Sequence, residues 1–75
     1  MPRLATFDGI VVAMFAADHA PPHVHAYYAE HEVLVVIASV VLAGSLPSAK
    51  LKLVLEWLEK NRSDVLSKWM RFKRL

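Results

Sequence analysis

Hydrophobic and polar positions alternate through the first part of the chain and change period after Pro47, so an extended half is followed by a helical one. From Phe7 to Phe15, Ile10, Val12 and Met14 fall on one side of a period-two strand, and Val11, Ala13 and Phe15 on the other. This predicts a first strand over 7–15. The stretch Asp18-His19-Ala20-Pro21-Pro22 is a loop, because each proline lacks an N–H and holds the residue before it extended. Alternation resumes over 23–28, with His23, His25 and Tyr27 on one face and Val24, Ala26 and Tyr28 on the other.

Val33 to Leu42 is a nearly unbroken apolar run of ten, which as one strand at ~3.3 Å per residue would exceed 30 Å. That is too long for so small a domain, so the run folds in half near Ala38-Ser39 into strands over 33–37 and 40–43. Both are apolar at odd and even positions, which predicts cover on both faces. The chain's own helix supplies one cover. The other face invites a second molecule, with Val33, Val35, Val36, Val40 and Leu42 as the partner interface.

Beyond Pro47, Leu51, Val54, Leu55 and Leu58 fall at i, i+3, i+4 and i+7, an amphipathic helical stripe. Asn61 can close that helix, and Ser63 with Asp64 can cap another bearing Val65, Leu66, Trp69 and Phe72. The helical part, 48–74, is thus one bent helix or two. The expected fold is a single α+β domain over 1–75: a three- or four-stranded antiparallel meander with the helical part packed on one face.

Composition sharpens the partner expectation. Hydrophobic residues are 56% of the 75, and exchanging the two tyrosines for the two glycines to match the usual reckoning of about 45–50% leaves the total unchanged. A domain this small buries only about 60–65% of its unfolded surface, so some of the surplus belongs on an interface. With no cysteine, disulfide frameworks and thiolate zinc sites are excluded. The longest apolar stretch, 33–46, is broken by Ser39, Gly44 and Ser45 and falls short of the about 18–20 residues of a membrane helix. The N-terminus imitates a signal peptide, with Arg3 and apolar Ile10–Ala17, but Asp8-Gly9 interrupts it, so a cytoplasmic protein is expected. Charge is divided: residues 1–49 carry one base and four acids (net −3), whereas 50–75 carry eight bases and three acids (net +5). The basic end suits phosphate or an acidic partner, and equally a solvated helix face.

Three of the four histidines lie within seven residues, His19 to His25. Two imidazoles spaced His-x-His on a strand point the same way, and Tyr27 shares their face. Two chemistries fit. A metal such as zinc could take His19, His23 and His25, with Asp18 as a carboxylate behind them, although no H-E-x-x-H supplies a base. RNA cleavage needs no cofactor: the 2′-hydroxyl is the nucleophile, so His19, His23, His25 and Tyr27 are candidate acid, base and orienting groups, and Lys68, Arg71, Lys73 and Arg74 candidate phosphate contacts. A plainer account makes the histidines hydrogen-bonded sheet residues, with Trp57, Trp69 and Phe72 in the core.

The opening Met1-Pro2, Phe7-x-Gly9-Ile10 leading to Met14, and Asp18-His19-x-Pro21-Pro22-His23-x-His25-Ala26-x-Tyr28 together resemble the small bacterial proteins classed as domain of unknown function number 4160. Leu46-Pro47, Glu56-Trp57-Leu58 and Trp69 extend the resemblance over most of the chain. It implies the toxin half of a two-gene toxin–antitoxin module, paired with an antitoxin of the domain of unknown function number 2442 type, and carries over Asp18, His19, Pro21, Pro22, His23 and His25. Where relatives tend to have a polar, glycine-containing turn, this chain has Ile37-Ala38-Ser39-Val40, which leaves the end of the sheet unusually apolar. The expectation is a toxin-like, metal-independent ribonuclease. The alternatives are a non-enzymatic interaction module, homo-oligomeric or antitoxin-binding, and a small histidine-based metal-binding protein.

Overall fold

The computed structural model describes residues 3–15 and 21–73, without the side chains of the last two. Five strands, β1 (Arg3–Phe7), β2 (Ile10–Ala13), β3 (His23–Tyr28), β4 (His31–Val36) and β5 (Val40–Gly44), precede one helix, α1 (Ser48–Lys73). The sheet order is β1-β2-β3-β4-β5 with every neighbour antiparallel, a five-stranded meander in an α+β fold.

The strand expected over 7–15 is instead the second half of a hairpin. Asp8 (φ 51°) and Gly9 (φ 77°) form a two-residue turn, and Phe7 pairs with Ile10. Two successive positive φ values match the twist of the flanking strands, which is why Asp-Gly is favoured there. Any L-residue at Gly9 costs about 1–2 kcal/mol for its backbone alone. A Cβ would also stand 3.3 Å from the Tyr28 ring. Gly9→Ala should therefore lower the urea midpoint without changing the slope of the transition.

The apolar run does fold in half near Ala38-Ser39. Ser39 (φ 72°) donates its N–H to the Val36 carbonyl at 2.7 Å, and Val36 pairs with Val40. This glycine-free turn is held from the helix: Arg62 donates from Nε to the Ile37 carbonyl (2.9 Å) and from Nη2 to Ser39 Oγ (2.8 Å). At the other end of β5, Gly44 (φ 76°) passes so close to β4 that a Cβ would run into the Glu32 carbonyl.

The helical part is one helix, not two. Val54, Leu58, Val65 and Trp69 are all buried, and their spacings of four, seven and four keep the stripe in phase through the expected break. Asn61 does not end the helix; its side-chain amide donates to the Trp57 carbonyl one turn back, at 2.8 Å. Ser63 is an exposed mid-helix residue. At 1.5 Å per residue, 26 residues span about 39 Å, against about 20 Å for a six-residue strand, so α1 is about twice as long as the strands it packs on. Its start is tied to the first hairpin by Lys50, which donates to the Asp8 carbonyl (3.1 Å) and sits 4.8 Å over the Tyr28 ring.

The core lies between α1 and one face of the sheet: Ile10, Val12, Val24, Ala26, Val33 and Val35 meet Val54, Leu58, Val65 and Trp69. Val33 and Val35 are thereby removed from the expected partner interface. Both are completely buried against the chain's own helix, because alternate residues of β4 point inward. Of that set, Val36 is half-buried, while Val40 (57%) and Leu42 (49%) are exposed. No helix among the described residues is long and apolar enough to cross a membrane.

Candidate functional site on the histidine face

Pleating of β3 sends Val24 and Ala26 into the core and turns His23, His25 and Tyr27 to the opposite face of the sheet. The rings form a row. His23 and His25 have centroids 5.3 Å apart, and Tyr27 follows at 6.3 Å with its plane within 11° of His25. Phe15 stands edge-on to His25 at 4.6 Å, and Trp69 lies 5.4 Å from His23. The last contact joins the C-terminal part of α1 to the start of β3.

Hydrogen bonding fixes the proton positions. His23 Nδ1 is 2.9 Å from the Pro21 carbonyl; a carbonyl only accepts, so Nδ1 carries the proton. His25 Nδ1 is 3.0 Å from Glu32 Oε2 and likewise donates to it. In the neutral form of each ring, Nε2 then holds the lone pair and is the nitrogen able to take a proton. The Pro21 bond is a consequence of the proline pair: an extended Pro21-Pro22 presents a carbonyl that no helix consumes.

Glu32 was not among the residues singled out by sequence. The two-residue Ala29-Glu30 turn pairs Tyr28 with His31 and Tyr27 with Glu32, which sets Glu32 diagonally across from His25 on the same face. Counting back from that turn would have found it. The His25 side chain is 13% exposed and that of Glu32 45%, so the imidazole is sheltered and its carboxylate reaches solvent.

His19 and Asp18, two of the residues expected around a metal, lie outside the described residues. Among the described residues, no group of three or more His, Cys, Asp or Glu could hold a metal ion. From α1 it is Trp69 that reaches the histidines, at His23. Lys68 and Arg71 flank Trp69 on α1; Lys68 pairs with Asp64 at 3.1 Å, and Arg71 is exposed. The side chain of Lys73, and all of Arg74, lie outside the described residues, as does the side chain of Phe72. Trp69 is 5% exposed, a core residue as its spacing implied, and Trp57 stacks on Phe7 at 6.2 Å.

A family model described as Domain of unknown function (DUF4160) matches residues 9–70, from the first turn through the histidine face to Trp69 and Met70. No curated protein and no solved structure matches the chain.

Proposed function

The chain belongs to the DUF4160 family, a domain of unknown function, and on that premise we propose that it is a metal-independent ribonuclease, a reading drawn from the site, and the toxin component of a two-gene module, a reading drawn from the family resemblance alone. The observation that carries this reading is the His25–Glu32 pair, a carboxylate-oriented imidazole 5.3 Å from a second imidazole on the same side of β3. His25 takes the 2′-hydroxyl proton at Nε2 as that oxygen attacks the neighbouring phosphorus. Protonated His23 gives its Nε2 proton to the departing 5′-oxygen as the P–O bond breaks, leaving a 2′,3′-cyclic phosphate. Glu32 stabilises the imidazolium formed on His25, as an orienting carboxylate does for a histidine base. Arg71 and Lys68, beside Trp69, supply cations for the phosphate, and Tyr27 offers a stacking surface for a base.

Glu32→Ala leaves the base in place but removes its partner. Cleavage of labelled single-stranded RNA should slow roughly 10- to 150-fold, the equivalent of the ~1.5–3 kcal/mol of a hydrogen bond to a charged group. A rate equal to wild type would remove Glu32 from the mechanism. The toxin role is tested by expression in bacteria lacking any cognate antitoxin: wild type should arrest growth and the His23→Ala, His25→Ala double variant should not. Equal growth would refute a histidine-dependent toxin.

A further inference from the structure

One step beyond the β3–β4 ladder, a proline stands where two strands would exchange a pair of hydrogen bonds. His23 pairs with Val36, so the next residues in register are Pro22 and Ile37. Residues opposed at a hydrogen-bonded position of an antiparallel sheet normally donate to each other. Here Ile37 donates its N–H to the Pro22 carbonyl at 3.0 Å, and Pro22 has no N–H to return. The Ile37 carbonyl therefore lacks its ladder donor, on a residue only 5% exposed. Arg62, an exposed residue of α1, supplies one: its Nε donates to that carbonyl at 2.9 Å.

We propose that Arg62 is a positioning residue for His23: it stands in for the missing proline N–H and, through Ile37 and Pro22, keeps the His23 proton on Nδ1. In Pro21-Pro22 both φ angles are set by the rings, and the ψ of Pro21 is held extended by the proline that follows it. That leaves the ψ of Pro22, which the bond from Ile37 to the Pro22 carbonyl fixes. The Pro21 carbonyl is thereby aimed at His23, whose Nδ1 donates to it at 2.9 Å. Without Arg62 the buried Ile37 carbonyl has lost its donor, a cost large enough for the turn to shift toward water. The shift moves the Ile37 N–H, releases Pro22 and turns the Pro21 carbonyl away from the imidazole. The second bond of Arg62, from Nη2 to Ser39 Oγ at 2.8 Å, steadies the same turn but lies off the route to His23. The catalytic importance of this arrangement rests on the ribonuclease reading, in which His23 gives up its Nε2 proton; the positioning itself does not.

Nitrogen-15 NMR of the full chain, at a pH where the imidazoles are neutral, separates the two tautomers without any RNA. Wild type should carry the His23 proton on Nδ1. Arg62→Gln should move the tautomer ratio of His23 about five- to tenfold toward Nε2–H, the weight of one hydrogen bond, while His25, held by Glu32, keeps its spectrum. Ser39→Ala should leave both histidines as they are. Pro22→Ala returns the N–H to the ladder, so adding Arg62→Gln to it should bring no further change. The proposal is overturned by an Arg62→Gln protein with an unaltered His23, by one in which His25 moves as far as His23, or by an equal Arg62→Gln effect in the Pro22→Ala background. Should Arg62→Gln alone fail to fold, the Pro22→Ala, Arg62→Gln double variant should fold, and one that does not overturns the proposal as well. A chain that shows this dependence on Arg62 but cleaves no RNA keeps the positioning and loses the ribonuclease; cleavage without the dependence does the reverse.

Discussion

His25→Ala is expected to lower the turnover of RNA cleavage by about 10²- to 10⁴-fold, the usual contribution of a positioned acid–base group. In the proposed mechanism His25 acts on the proton in flight and the basic end of α1 holds the phosphate, so the loss should appear in kcat with little change in KM. The fold should survive the change. The His25 ring packs edge-on against Phe15, but its hydrogen-bond partner, Glu32, is 45% exposed at the side chain and can turn to water when the imidazole is gone. His23→Ala is a less clean test: that residue is 6% exposed, so its removal mixes lost packing with lost chemistry. A His25→Ala protein that is folded and as active as wild type would remove the general base from the mechanism.

Trp69→Ala is expected to cost about 3–5 kcal/mol of stability, as truncation of a buried aromatic generally does. For 75 residues at about 0.05–0.15 kcal/mol each, the whole stability is only about 4–11 kcal/mol, so the variant is marginal. Trp69 also has a second role, since its ring lies 5.4 Å from His23 and brings the turns bearing Lys68 and Arg71 to the histidines. Leu58→Ala separates the two. Leu58 is completely buried mid-helix, and its truncation should cost a comparable ~2–5 kcal/mol while leaving the rate of the folded fraction unchanged. Trp69→Ala should lower that rate too. Urea unfolding followed by circular dichroism, with activity normalised to the folded fraction, distinguishes them; equal folded-fraction activity in both variants would make Trp69 a packing residue alone.

The change from period two to period 3.6 exposed the α+β arrangement, the placement of β3, β4 and β5, and the start of α1. Hydropathy does not reveal the hairpin at Asp8-Gly9, because apolar residues continue on either side of it, and period alone cannot show that a strand has reversed. Its signal was the Asp-Gly pair itself. Asn61 and Ser63 are good capping residues by type, yet capping requires the apolar stripe to stop, and Leu58 to Val65 keeps it in phase. The partner surface expected from the apolar run is one parity too broad. Val33 and Val35 belong to the core, and the exposed large apolar residues are Val40, Val41 and Leu42 of β5 together with Leu66 and Met70 of α1.

At the site, alternation along β3 was enough to align His23, His25 and Tyr27. Glu32 lies on the next strand, where its position depends on the length of the Ala29-Glu30 turn, and a one-residue difference would have sent it to the other face. The contact of Trp69 with His23 likewise depends on α1 continuing unbroken past Asn61. Both are consequences of register and length, which local pattern does not carry.

The most direct test of the histidine mechanism uses two RNA oligonucleotides, identical except for one 2′-deoxy substitution at the cleaved linkage, each incubated with the full chain in the presence of a chelator. Cleavage of the unmodified strand to a 2′,3′-cyclic phosphate, with the deoxy strand left intact and His25→Ala inactive, is the expected result. Cleavage of the deoxy strand, or activity that the chelator abolishes and zinc restores, would contradict a metal-free attack by the 2′-hydroxyl with His25 as its base.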